Sequence, residues 1–212
     1  MKPIQVLIAD DHAILRRGLA QIIAEAGDMQ VCAEAETGAQ AISLVREHRV
    51  DVVLLDITMP DRNGLDTLKY LKKEQPKLAV LMLSMHPEET YALRAIKAGA
   101  SGYLTKQSAP ALLVTAIRQV AHGRRYISPA LAEALAGTIA DGSDRPAHAT
   151  LSDREYETMR LIASGKTLTQ IAAEMHLSAK TVSVYRARLL EKMHLKNNSE
   201  LTHYALKNQL VD

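Results

Sequence analysis

The chain has 212 residues with 47% hydrophobic and 24% charged content, which excludes disorder throughout and leaves room for one large domain or two modest ones. A formal net charge of +2 hides an asymmetry: residues 1 to 123 hold 14 Lys+Arg against 14 Asp+Glu, whereas residues 180 to 196 hold five bases against one acid, a local patch suited to a polyanion. Cys32 is the single cysteine, so there is no intrachain disulfide framework and no thiolate metal site, and it reads as a small apolar residue in a buried strand. No apolar run is long enough to cross a bilayer and no signal-peptide pattern opens the chain, so a cytoplasmic protein without membrane contact is the expectation. Phe and Trp are absent, which leaves the cores to Leu, Ile, Val, Ala and Met and makes each Tyr conspicuous.

From the start to residue 122, short aliphatic runs alternate with segments of helical period, the signature of strand-helix units around a parallel sheet. The strands are read over 4–9, 31–35, 50–56, 79–84 and 102–105, with helices near 13–26, 38–48, 64–74, 88–98 and 109–122. Five of each in this length predict one doubly wound α/β domain, a flavodoxin-like five-stranded parallel sheet. A linker follows over 123–149, with a helical stretch near 129–139 and then the turn-forming run Asp141-Gly142-Ser143-Asp144-Arg145-Pro146. Residues 150 to 212 contain no strand-like run and break at Gly165, at His176 to Ser178 and at Lys196 to Asn198, which predicts a small all-α domain of four helices.

The third strand is the most informative. Val52-Val53-Leu54-Leu55 reads as buried on both faces, and Asp56 ends it with a charge. Ligands of an open parallel sheet collect beyond the carboxyl ends of its strands. That edge also receives Asp10 and Asp11 after the first strand, Ser84 at the end of the fourth and Lys106 after the fifth. Each alone has a plain reading: an Asp pair as a helix N-cap, a serine as a strand-end hydroxyl, a lysine as a solvated side chain. Together they describe a site. Three carboxylates at close quarters repel unless a cation holds them, and an all-oxygen cluster suits Mg²⁺. A metal and a lysine on opposite sides would neutralise a moving phosphoryl group while a carboxylate attacks in line, with Asp56 as nucleophile.

On these residues the segment 1 to 122 resembles the receiver domain of bacterial two-component response regulators. The resemblance implies that Asp56 accepts phosphate from a sensor histidine kinase, that Asp11, Asp56 and the backbone carbonyl of Thr58 bind Mg²⁺ with Asp10 acting through water, and that Lys106 contacts the phosphoryl group. It also implies a switch pair, Ser84 moving its hydroxyl onto the phosphate and Tyr103 turning its ring inward behind it. Many receivers place Pro after the lysine, where this chain has Gln107. Thr58, Met85 and His86 flank the acceptor and are expected to set how fast water reaches the phosphoryl group.

In the basic segment Ser178 is placed to cap a helix running to Met193. At 100° per residue Val182, Leu189 and Met193 share one face, while Lys180, Ser183, Val184, Ala187 and Arg188 lie opposite. Small residues flanked by cations suit a helix entering the major groove. With the helix near 169–175 before it, the pair reads as a helix-turn-helix. Through Leu151-Ser152-Asp153-Arg154-Glu155, Gly165, Ile171-Ala172, Leu177-Ser178, Thr181-Val182 and Lys192-Met193, residues 150 to 212 resemble the LuxR-type output domain of the NarL/FixJ class. That resemblance implies that Ser183, Val184 and Ala187 face base edges of promoter DNA, and that Lys180, Thr181, Tyr185, Arg186, Arg188 and Lys192 lie near the phosphate backbone. The family often carries Lys where this chain has Ser183 and His where it has Tyr185, so a base preference does not carry over. The last helix, near 199–210, places Leu201, Tyr204, Ala205 and Leu210 near one face, which would close the domain's core, form a dimer seam or do both; the resemblance implies that two copies pair through it, on DNA or upon phosphorylation.

The combined expectation is a phosphorylation-switched DNA-binding transcription regulator that is no enzyme beyond promoting its own aspartyl phosphorylation and dephosphorylation. Two other readings stand beside it. A phosphate-independent DNA-binding protein could use the same receiver as a dimer module. A doubly wound phosphohydrolase would need a second acid two positions after the nucleophile, where Thr58 stands.

Overall fold

A computed structural model describes residues 2–85, 88–108, 110–129, 131–133, 146–208 and 210–211, with backbone only at 89 and 90. The chain divides into two compact units, residues 1–137 and 138–212.

The first unit alternates strand and helix: β1 Ile4–Ala9, α1 Ala13–Glu25, β2 Met29–Ala35, α2 Gly38–Glu47, β3 Val52–Asp56, α3 Gly64–Glu74, β4 Ala79–Ser84, α4 Glu88–Lys97, β5 Gly102–Thr105 and α5 Pro110–Ala121. The strands form one sheet in the order β2-β1-β3-β4-β5, every pair parallel, as strands joined by helical crossovers pair. All residues of β3 and β4 are buried, so these strands carry no polar alternation. Successive side chains nevertheless point to opposite faces. Val52 and Leu54 join Leu19 and Ile23 of α1 and Leu113, Ile117 and Val120 of α5 in one apolar cluster.

Two strands begin elsewhere than the aliphatic runs suggest. β2 starts at Met29 rather than residue 31, because Ile4 of β1 pairs with Met29 and the ladder opens there. β3 starts at Val52 rather than residue 50, because Asp51 turns its carboxylate onto the Gln5 amide at 2.9 Å instead of extending the strand. The first unit also reaches beyond residue 122. Tyr126 bridges Gly102 at the sheet edge, Ser128 accepts from Leu131 N, and Leu131 is buried. The helix expected near 129–139 lies outside the described residues after Glu133.

Among its described residues the second unit holds a 3₁₀ turn, Ala147–Thr150, and four helices: α6 Asp153–Ala163, α7 Leu168–Glu174, α8 Ala179–Lys192 and α9 Asn198–Lys207. α6 packs on α8 and α9, and α7 on α8. Their shared core is Tyr156, Met159, Ile162, Ile171, Val182, Leu189 and Leu201. Each helix opens on a capping side chain: Ser152, Thr167, Ser178 and Asn197 accept from the amides of Glu155, Gln170, Thr181 and Glu200, which satisfies donors that a helix start leaves unpaired.

The stops of α6, α7 and α8 repeat one device. Gly165, His176 and His194 take φ values of 82°, 53° and 55°, and the residue after each returns its amide to the helix, as Leu195 N does to Leu190 O at 2.9 Å. Only Gly165 suits that conformation; a side chain there costs about 1 kcal/mol. His194→Gly should therefore raise stability by up to about 1 kcal/mol, read as a higher urea midpoint at unchanged slope. A lower midpoint would show that the imidazole makes a compensating contact.

Candidate functional site

Parallel register brings the strand ends level. Ala9 pairs with Ala35 and with Leu55, Asp56 with Leu83, and Ser84 with Thr105. Asp10, which follows β1, and Lys106, which follows β5, therefore arrive beside Asp56 and Ser84. Lys106 N donates to Ser84 O at 2.7 Å, which fixes the start of its side chain.

Asp10 and Asp56 are 0% and 2% exposed, and Lys106 Nζ lies 2.7 Å from Oδ2 of each. The ammonium donates a hydrogen bond to Asp56. Asp10 Oδ2 has the same ammonium as its one close partner, at 2.7 Å. Asp56 Oδ1 accepts a longer bond, 3.3 Å, from Thr58 N. Burial pushes the Asp56 carboxyl up to about 6, against the pull of Lys106 and with a smaller push from Asp10. Burial works to lower the Lys106 ammonium, but the charges of Asp56 and Asp10 outweigh it and hold it above its ordinary value.

Asp11 is partly exposed, with its Oδ1 2.8 Å from His12 Nδ1. Among the described residues, Asp10, Asp11, His12 and Asp56 form a group whose donor atoms all lie within 4.8 Å of one another. Mostly oxygen and strongly acidic, with three carboxylates against the single Lys106 ammonium, the group is compatible with a hard divalent cation such as Mg²⁺. Ser84 and Tyr103 are buried, whereas Thr58 and Met85 are exposed at the rim. His86, expected to flank the acceptor, lies outside the described residues.

Three supporting residues escaped sequence reasoning. Arg16 of α1, only 7% exposed, donates to the Asp10 carbonyl at 2.7 Å and to Glu36 at 2.6 Å, and so clamps the end of β1. Its signal was an arginine in register with buried Leu19 and Ile23. Asp61, in the loop after β3, accepts from Gly38 N and Ala39 N, both at 2.9 Å, and pins that loop to the start of α2. Burial opposes its charge, yet these amides hold its carboxyl below the usual range. Gly64 is crowded: a Cβ there would stand 2.0 Å from the Asp56 carbonyl oxygen, so any side chain would displace the acceptor's own backbone.

In the second unit α8 exposes Lys180, Ser183, Val184, Ala187, Arg188 and Lys192, with Thr181, Tyr185 and Arg186 half-buried. Val184 is 42% exposed, an aliphatic side chain left outside the core. Two of the cations are engaged. Arg186 Nε donates to Asn198 Oδ1 at 2.6 Å, and Lys192 Nζ donates to Glu155 Oε2 at 2.7 Å. Glu155 also accepts from Ser152 N in the α6 capping box, so Lys192 ties α8 to the start of α6.

The receiver fold with its acid-lysine pocket and the capped helix-turn-helix define a class of two-part signalling protein. Residues 6–118 match the response regulator receiver domain family, and residues 149–205 the bacterial regulatory proteins of the luxR family; the chain belongs to the response regulators that join these two parts. It is 36% identical over 210 residues to the response regulator UvrY of Escherichia coli, covering 99% of this chain and 96% of the relative. Its fold is similar to RcsB of Salmonella typhimurium, with TM-score 0.71, 26% identity and full coverage of both chains. It is also similar to RcsB of Salmonella enterica serovar Typhimurium bound to the promoter rprA in the presence of the phosphomimetic BeF3−, with TM-score 0.66 and 26% identity over 96% of this chain and 98% of that one. Among the described residues no helix is long and apolar enough to cross a membrane.

The raised Asp56 value fixes a sign. Between about pH 4, where the unfolded carboxyl ionises, and about 6, the folded state holds a proton that the unfolded chain has released, so stability falls as pH rises through that window. In metal-free buffer, urea unfolding of the wild type and Asp56→Asn from pH 4 to 7 should show the wild type losing stability relative to the variant. Parallel pH profiles would contradict it.

Proposed function

We propose that Asp56 is the phosphoacceptor of a cytoplasmic DNA-binding transcription regulator, with a sensor histidine kinase as donor and promoter DNA as target. One Asp56 carboxylate oxygen attacks phosphorus as the bond to the kinase imidazole nitrogen breaks. Asp10, Asp11, Asp56 and the Thr58 carbonyl would hold Mg²⁺, whose charge would neutralise the phosphoryl oxygens. Lys106 serves from the other side: its ammonium, 2.7 Å from Asp56, is positioned to contact the new phosphoryl group. The observation that carries this reading is the meeting of Asp10, Asp56 and Lys106 in one buried pocket.

Thr58, exposed two positions after Asp56, offers no general acid for turnover, which supports a stored phosphate rather than a hydrolase. Phosphorylation adds charge where one carboxylate stood; Ser84 moves its hydroxyl toward the new oxygens, and Tyr103, wholly buried, packs behind it. Moving such a switch from 1:99 to 99:1 requires about 5.5 kcal/mol, a demand that pairing of two copies on DNA shares. On α8, Ser183, Val184 and Ala187 face base edges, while Lys180, Thr181, Tyr185, Arg186, Arg188 and Lys192 lie along the phosphates.

Binding to promoter fragments selected from a random pool, measured before and after acetyl phosphate with Mg²⁺, should tighten for the wild type and not for Asp56→Ala. Equal binding throughout would favour a phosphate-independent receiver. Arg188→Ala should weaken binding to all sequences alike and lower the salt slope by about 1. Arg186→Ala should lower it less, because Asn198 already holds that guanidinium; equal losses would show that Arg186 leaves Asn198 for DNA.

A further inference from the structure

His12 stands at the N-cap of α1, where Ser, Thr, Asp or Asn would stabilise the helix by about 1 kcal/mol, yet its side chain makes no capping bond. Instead the ring turns back to the acids: Nδ1 lies 2.8 Å from Asp11 Oδ1 and 3.2 Å from Asp10 Oδ1. Donors around a small divalent ion with arms of about 2.1 Å are separated by about 3.0 Å when adjacent and about 4.2 Å when opposite. Without an ion these His12 separations are those of Nδ1–H donating to carboxylates; they are also those of adjacent ligand positions once Nδ1 gives up its proton, and the whole group lies within 4.8 Å. Lys106 occupies the Oδ2 side of Asp10 and Asp56; the imidazole sits on the Asp10 Oδ1 side, where Oδ1 also accepts from His12 N at 2.8 Å and keeps a further lone pair. The His12 side chain is 64% exposed, so an ion can reach it from water.

We propose that His12 is a nitrogen donor of the acid pocket and shifts its preference from Mg²⁺ toward divalent transition ions such as Co²⁺, Ni²⁺ or Zn²⁺. Carboxylates and carbonyls suit Mg²⁺, whereas imidazole adds affinity for the later first-row ions and little for Mg²⁺. This rests on the reading of the pocket as a divalent-cation site. It adds that the ion bound in a mixed pool is set by a residue outside the acid set.

The test is equilibrium dialysis of the full chain against Mg²⁺ and, separately, Co²⁺, counting the Co²⁺ that excess Mg²⁺ displaces. His12→Asn is the variant, since Asn is a favoured N-cap and keeps α1 folded. It should lose about tenfold or more in displaceable Co²⁺ affinity, as expected for loss of a ligand-shell group, with a shift of the visible Co²⁺ bands, while Mg²⁺ affinity changes little. Equal changes for both ions, or none, would overturn the proposal. Stronger binding of both in the variant would mark His12 as a repelling imidazolium and overturn it too. Mg²⁺ binding without displaceable Co²⁺ in the wild type defeats the His12 role alone; binding of neither ion defeats it together with the metal reading on which it rests.

Discussion

Three charges share one buried pocket, and the rest of the receiver is arranged around that fact. The Lys106 ammonium stands 2.7 Å from both Asp10 and Asp56, with all three side chains nearly out of water. Burying charges costs several kcal/mol for each ion, and an ion pair often recovers no more than that. An apolar trio of the same volume would serve stability as well or better. Their presence at the carboxyl edge of a parallel sheet, where such folds bind ligands, is explained by chemistry. The net negative charge left over, with Asp11 beside it, is compatible with a divalent cation.

Holding three such groups in register demands that three strand ends stay put. Neighbouring strands and long-range clamps supply this. Arg16 reaches from α1 to the Asp10 carbonyl, Asp61 fixes the loop after Asp56 onto the first two amides of α2, and Gly64 lets α3 begin directly against the Asp56 backbone. Each clamp ties the pocket to a different helix. A new charge on Asp56 would therefore be felt at β1, α2 and α3 through these short links, the kind of arrangement by which a local electrostatic event biases a whole element.

Much of this was legible in the sequence, and the remainder has a physical reason. The five strands, the convergence of Asp10, Asp56, Ser84 and Lys106, and the helix-turn-helix follow from hydrophobic period and from strands ending in polar residues, signals that are local. Arg16 was half legible, as a charge on a buried helical stripe. The roles of Asp61 and Gly64 were not, because a cap between residues 23 positions apart and a close backbone approach leave no local pattern. The starts of β2 and β3 shifted because ladder pairing and the Asp51 side chain set them, not hydrophobicity. Tyr126 and Leu131 read as linker from composition, yet their backbone and side chain complete the first unit.

The basic helix carries the same lesson about charge. Composition counts every cation of α8 as available to a polyanion, but the structure divides them. Lys180 and Arg188 are exposed, Arg186 is bonded to Asn198, and Lys192 neutralises Glu155, whose side chain is 4% exposed and also closes the α6 capping box. Removing Lys192 would leave Glu155 a buried carboxylate without its countercharge, held by Ser152 alone, a loss larger than that of a surface pair. Lys192 thus ties α8 to the start of α6, while Lys180 and Arg188 stay exposed on the helix.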